Sequence, residues 1–187
     1  MKISLVGYMG SGKTTIGRHL SEILGIKFLD LDELIQGFAQ KNIAEIFKDI
    51  GEIKFRKLER EILLNQLASE SEFILAVGGG TPVYYDNMKQ INDHSTSIYL
   101  RANPKFLSER LIHEKSNRPL IAHLRDEDLI EFVAKHLFVR RNFYQEANYV
   151  IGEMIGELNA SHTYFGGGDL EKSKSQNTGY LGVDYEA

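Results

Sequence analysis

The residues with the most specific chemistry lie close to the start of the chain, at Gly7-Tyr8-Met9-Gly10-Ser11-Gly12-Lys13-Thr14. Gly7, Gly10 and Gly12 permit turns closed to residues that carry a Cβ, so successive backbone N–H groups can converge on phosphate oxygens. A helix opening at Lys13 adds the positive end of its dipole to the same pocket. Lys13 offers a cation to the β- and γ-phosphates, and the Thr14 hydroxyl offers an oxygen ligand to Mg²⁺. Gly10, Ser11, Gly12, Lys13, Thr14 and Thr15 are therefore the residues expected around the phosphates of ATP. The glycines follow an apolar run and precede a helical pattern, which separates this loop from an incidental glycine-rich turn.

Four further groups of residues can serve an acceptor for the phosphoryl group. Asp30 and Asp32 stand two apart just past a second apolar run. In extended chain that spacing puts both carboxylates on one side, so one can serve Mg²⁺ and the other an acceptor hydroxyl; alternatively, Asp32 caps the helix that follows. Phe55-Arg56, with Glu59 one turn on, offers a guanidinium suited to bidentate recognition of a carboxylate. Gly78-Gly79-Gly80 ends another apolar run, where missing side chains let a ligand touch backbone. The segment from Glu114 to Arg125 carries Lys115, Arg118 and Arg125 with no long apolar run. Such a segment can close as a lid and bring a cation to the transferring phosphoryl.

These groups must be held by ordered elements, and the hydropathy pattern supplies them. Five apolar runs read as buried strands: Lys2–Val6, Lys27–Leu29, Phe73–Val77, Thr96–Leu100 and Asn148–Ile151. Helix-period stretches separate them. One runs from Lys13 to about Leu24 and stops at Gly25. The next begins near Asp32, followed by a short one at Asn42, whose spacing to Glu45 matches a capping box. Others span Glu52 to Leu67, Tyr85 to Ile91, Pro104 to His113 and Asp126 to Glu146. Strands alternating with helices predict an α/β fold with a parallel sheet covered on both faces, and ligands at the carboxyl ends of the strands.

A length of 187 residues accommodates one compact domain and leaves no room for a second full one. With 42% hydrophobic and 26% charged residues and no apolar run near membrane-spanning length, a soluble protein is expected, with no membrane partner. The apolar core of the first residues is too short for a secretory signal, and there are no cysteines for disulfides or thiolate metal sites; both favour the cytoplasm. A net charge of −4 gives no reason to expect nucleic acid. The acidity is concentrated in residues 152–187, which hold six acidic residues against Lys172 and Lys174.

Taken together, GYMGSGKTT, FLDLDELI, GEIKFRKLE, VGGGTPV, RPL and RRNFY, in that order, resemble shikimate kinase, a small kinase with the P-loop NTPase fold of the nucleoside-monophosphate-kinase type. The resemblance covers residues 1–151 and implies a five-stranded parallel sheet in the order 2-3-1-4-5, with the lid at about residues 114–125. It implies transfer of the ATP γ-phosphoryl to the 3-hydroxyl of shikimate, a step toward chorismate and the aromatic amino acids, by a cytoplasmic monomer. Carried over residue by residue, Lys13 and Thr14 bind phosphate and Mg²⁺, Asp30 supports Mg²⁺, and Asp32 binds the acceptor hydroxyl and acts as base. Arg56 and Arg140 clamp the carboxylate, Gly78, Gly79 and Gly80 line its pocket, Arg118 is the lid arginine, and Arg110 stacks on adenine. The family usually has proline where Asn142 stands, and the arginine register is set at Arg140 rather than Arg141. Another small-molecule kinase, such as a gluconate or nucleotide kinase, and a nucleotide-binding module without catalysis are the alternatives.

The resemblance stops near Ile151. Residues 152–187 hold seven of the 17 glycines. Gly152–Leu158 can form a short helix, and nothing beyond it forms a helix of useful length. The words GELNASHTY and YLGVDYE resemble a fragment of tricorn-type serine peptidases, in which the position of His162 carries the catalytic histidine. A triad with one member placed is inert, so peptidase activity is not expected. The expectation is a junction between most of a kinase and an unrelated acidic, glycine-rich fragment, with reduced stability and weaker adenine binding as its consequences.

Overall fold

The computed structural model describes residues 1–115, 118 and 120–152; of the tail expected at 152–187, Gly152 ends the last strand, and residues 153–187, with the rest of the helix expected at Gly152–Leu158, lie outside the described residues. The ordered elements are β1 (Lys2–Val6), α1 (Lys13–Leu24), β2 (Lys27–Asp30), α2 (Leu31–Ala39), α3 (Ile43–Ala68), β3 (Phe73–Ala76), α4 (Asn87–His94), β4 (Thr96–Arg101), α5 (Pro104–Ile112), α6 (Asp126–Gln145) and β5 (Tyr149–Gly152). A 3₁₀ turn at Thr81–Val83 links β3 to α4. The strands form one sheet in the order β2-β3-β1-β4-β5. All four pairings are parallel, with Ile3 opposite Ile74 and Thr96, and Leu29 opposite Leu75.

Period-2 alternation decides which side chain meets which helix layer. Ile3, Leu5 and Ile74 point to one face, where Ile16 and Leu20 of α1 and Phe28 and Ile98 of the sheet pack on them. Val6, Phe73, Leu75, Val77 and Tyr99 point to the other, into a larger core with α2, α3, α4, α5 and α6. Gly17 is buried in α1, and a Cβ there would meet Phe28 Cε2 at 2.3 Å, so α1 approaches the sheet more closely than any other residue would permit.

The elements predicted before residue 152 are all present, and two local differences have physical causes. The two helices predicted around residues 42 and 52 join as α3, broken by non-helical backbone at Gly51 (φ 73°, ψ 169°), a conformation few residues but glycine adopt. Its start carries the predicted capping box, with Glu45 N–H donating to Asn42 Oδ1 and Asn42 N–H to Glu45 Oε2, both at 2.9 Å. In the second, Asp30 rather than Asp32 caps α2: the Asp32 N–H donates to Asp30 Oδ1 at 3.0 Å. The chain therefore turns from strand to helix between the two aspartates, and their shared side comes from a cap rather than from extended chain.

Candidate active site

Three strand ends meet at one edge of the sheet and carry the phosphate loop (after β1), Asp30 (end of β2) and the three glycines (after β3). Between them lies a cleft of about 370 Å³, lined among others by Gly10, Gly12, Lys13, Thr14, Thr15, Asp30, Asp32, Gly78, Gly79, Arg110 and Arg118. Gly12 is the N-cap of α1 at φ 90°, in the left-handed region that favours glycine, so the loop delivers its last N–H groups to the helix start without strain. Lys13 Nζ donates to the carbonyls of Gly7 at 2.8 Å and Tyr8 at 3.0 Å, which draws the ammonium over the loop. Burial lowers the Lys13 pKa to about 8 against the opposing pull of Asp32 and Asp30. An ammonium so poorly solvated gains much from a phosphate oxygen.

Asp32 shows the opposite shift. Burial, then the neighbouring carboxylates Asp30 and Glu59, raise its pKa to about 6, with Lys13 and Arg56 opposing. A carboxylate poised there is well matched to accepting a proton from a hydroxyl near neutral pH. In Asp30, Oδ1 is occupied as the cap while Oδ2 accepts from Thr14 Oγ1 at 3.4 Å. Thr14 and Asp30 thus present adjacent hard oxygen donors at the loop. That set fits Mg²⁺, which takes one or two protein oxygens and completes its shell with water and phosphate.

One stripe of α3 packs against the segment that follows β3. Glu52, Arg56, Glu59 and Arg60 all face the segment after β3. Arg56 Nη1 donates to Glu59 Oε2 at 2.9 Å, and Thr81 Oγ1 donates to Glu59 Oε1 at 2.8 Å. Arg60 Nη1 reaches Asn87 Oδ1 at 2.8 Å, and Asn87 Nδ2 returns to the Thr81 carbonyl at 2.9 Å. These bonds explain why the segment carries glycines: a Cβ on Gly80 would lie 2.8 Å from Arg56 Nη2, and one on Gly78 would lie 3.2 Å from Asp32 Oδ1 and 3.3 Å from Glu59 Oε1. Each glycine leaves space for a charged group of the site.

Helix α6 closes the other side. His136, Arg140 and Tyr144 follow at four-residue intervals, which puts them on one face. Arg140 lies 5.8 Å from the centre of the Tyr8 ring, Tyr8 Oη and His136 Nδ1 are 2.9 Å apart, and Tyr144 Oη donates to the Gly79 carbonyl. Burial, followed by Arg140, lowers the His136 pKa to about 4, so at neutral pH this histidine is an uncharged partner of Tyr8. Arg141 is exposed on a different face, which favours Arg140 as the residue directed at the site. In the lid segment, Lys115 bonds the Leu124 carbonyl and Asp126, and Arg125 pairs with Asp128. Among the described residues of that segment, Arg118 is the cation that lines the cleft, held by Glu114 through Nε at 3.0 Å. Arg110 also lines it, over the Phe106 ring at 5.5 Å.

A phosphate loop, two aspartates and two guanidinium groups line one cleft, and the matches to known proteins name the family. The family model described as Shikimate kinase matches residues 9–161. The chain belongs to the shikimate kinase family. The match runs ten residues past the boundary expected at Ile151. The chain is 48% identical to the shikimate kinase of Flavobacterium johnsoniae over 151 residues, covering 80% of this chain and 88% of that protein. Among solved structures it resembles shikimate kinase from Bacteroides thetaiotaomicron with a TM-score of 0.77 and 36% identity, covering 81% and 86% of the two chains. It also resembles the shikimate kinase from Acinetobacter baumannii solved in complex with shikimate, with a TM-score of 0.72 and 34% identity over 80% and 82%.

Sequence reasoning assigned no role to Glu59, Glu52, Tyr84, Tyr8, His136 or Tyr144. Glu59 had a legible signal, because it interrupts the four-residue series Phe55, Leu63, Leu67 of buried α3 positions and is itself 1% exposed. A charge on a buried stripe needs a partner, and Arg56 is one turn away. The tyrosines gave no such signal, since their partners lie on other elements.

Proposed function

We propose that this chain transfers the γ-phosphoryl of ATP to the 3-hydroxyl of shikimate, giving shikimate 3-phosphate and ADP in the route to chorismate. The observation that carries the reading is the junction of a phosphate loop with Asp32, Arg56 and Gly80 at one sheet edge, in a chain of the shikimate kinase family. The loop N–H groups and Lys13 hold the phosphates, and Arg118 lies within reach of the transferring group. Arg56 and Arg140 bind the shikimate carboxylate, which turns the 3-hydroxyl toward Asp32. Asp32 accepts the hydroxyl proton as the oxygen bonds to the γ-phosphorus and the bond to ADP breaks. Thr14 and Asp30 would hold Mg²⁺, which neutralises phosphate charge when bound. Arg110 serves the adenine end. Positioning and charge neutralisation are what in-line transfer needs, and this set supplies both.

On the same reading the enzyme is a cytoplasmic monomer, residues 1–151 carry the chemistry and residues 152–187 take no part in it. No described helix is long and apolar enough to cross a membrane. The deciding measurement is ADP release with shikimate, gluconate and nucleoside monophosphates supplied separately. Turnover with shikimate alone is expected; turnover only with another acceptor, or ATP binding without any turnover, overturns the reading. Limited digestion is expected to leave an active core ending between residues 152 and 161, and an equally resistant tail would count against the boundary.

A further inference from the structure

Arg56 is held on three sides in a way that the acceptor site alone does not require. Its guanidinium lies over the Tyr84 ring, 4.3 Å from the centroid, and within 5.2 Å of the Phe55 ring centre. Its Nη1 is taken by Glu59 at 2.9 Å, and Glu52 Oε1 stands 3.6 Å from Nη2. The Tyr84 hydroxyl in turn donates to Glu52 Oε1 at 2.7 Å, so the ring over Arg56 is itself tethered to α3. One buried nitrogen lacks a hydrogen-bond partner, Arg56 Nε. Nε and the neighbouring Nη2 form the lateral edge of a guanidinium, the edge that a carboxylate meets with two parallel bonds. Nη2 is also the atom bordered by the bare Cα of Gly80.

We infer that Tyr84 is a positioning residue for shikimate: its ring covers the Arg56 guanidinium and fixes its plane, so that the edge carrying the unpartnered Nε meets the carboxylate side-on. This rests on the reading of Arg56 as a carboxylate ligand. Two effects follow from the geometry. The ring keeps water off one face of the guanidinium, which strengthens its pairing with an anion. It also removes rotational freedom that carboxylate binding would otherwise have to restrict. Tyr84 comes from the segment after the three glycines and Glu52 from α3, so the same contact ties the two walls of the acceptor site together.

Steady-state kinetics of Tyr84→Ala, Tyr84→Phe, Arg56→Ala and the Arg56→Ala/Tyr84→Ala double variant test this, with KM for shikimate, KM for ATP and kcat measured for each. Tyr84→Ala is expected to raise the shikimate KM roughly tenfold, the size of a well-formed cation–π contact, with the ATP KM unmoved. Tyr84→Phe keeps the ring and is expected to recover most of that loss. In the double variant the Tyr84 effect disappears, because it acts through Arg56. Tyr84→Leu takes the place of Tyr84→Ala should that variant fail to fold. An unchanged shikimate KM in Tyr84→Ala, or effects that simply add in the double variant, overturns the role of Tyr84 alone. An unchanged shikimate KM in Arg56→Ala overturns the carboxylate reading and the role of Tyr84 with it.

Discussion

The Thr81 hydroxyl donates to Glu59 Oε1 at 2.8 Å, with both residues essentially inaccessible to water. The other carboxylate oxygen of Glu59 accepts from Arg56, so one buried carboxylate fastens the post-β3 segment to Arg56. Burial alone would disfavour the charged Arg56; Glu59, by charge and hydrogen bond, and Tyr84 together outweigh it and the Arg56 pKa is raised. Glu59→Gln keeps the shape but removes the negative charge that pairs with the guanidinium. The expected cost is about 3 kcal/mol of stability, typical of breaking one side of a buried pair, together with a raised shikimate KM. Chemical denaturation and kinetics check the two effects separately.

Asp32 carries opposite consequences for activity and stability. As a base it must be ionised, so turnover is expected to rise with pH through about 6 and then level off. Its folded pKa lies above the ordinary 3.8, so the protonated form suits the fold: its stabilising contribution is full below about pH 4 and is lost as pH rises through about 6. Asp32→Asn is therefore expected to lower kcat by roughly 10²- to 10⁴-fold, the scale of general-base catalysis. At pH 7 it is also expected to raise stability, by up to about 3 kcal/mol from a shift of some two units. Thermal midpoints at pH 5 and pH 7.5 check the sign, since the gain should shrink at the lower pH.

Lys13 makes a complementary prediction. Its folded pKa of about 8 lies below the ordinary 10.5, so the fold favours the neutral amine and stability rises with pH between those values. Phosphate binding favours the ammonium, so ATP should bind with proton uptake around pH 8 to 9. Titration calorimetry in two buffers of different ionisation enthalpy measures that uptake directly. Lys13→Ala is expected to abolish it and to reduce kcat by roughly 10²- to 10³-fold, as expected for removing a preorganised electrostatic contact.

Two glycines separate site from scaffold. A Cβ at Gly80 would press on an Arg56 guanidinium already pinned by Glu59 and Tyr84, so Gly80→Ala should raise the shikimate KM and leave ATP binding intact. A Cβ at Gly17 would strike the Phe28 ring and approach Leu5. Gly17→Ala should cost about 1–3 kcal/mol by overpacking, with both KM values unchanged. Melting curves beside initial-rate kinetics distinguish the two.

Much of this molecule is legible in its sequence because its signals are local. The phosphate loop is contiguous, the strands are short apolar runs, and the capping box at Asn42 and Glu45 needs only three-residue spacing. Backbone conformation and helix polarity act over those distances, so local order and spacing suffice to put Gly12, Lys13 and Thr14 at the junction of loop and helix. Strand order was implied by family likeness, since no local pattern states which run pairs with which.

What tertiary structure decided is which side chains meet across elements. That Asp30 caps α2 while Asp32 lines the cleft beside it depends on where the strand turns into helix. That Arg140, not Arg141, faces the loop depends on the rotation of α6 against Tyr8. The Tyr144 contact to Gly79 spans 65 residues and the Tyr84 contact to Glu52 spans 32. Such pairs are set by the packing of helices onto the sheet edge, a property of the assembled core rather than of any window of sequence.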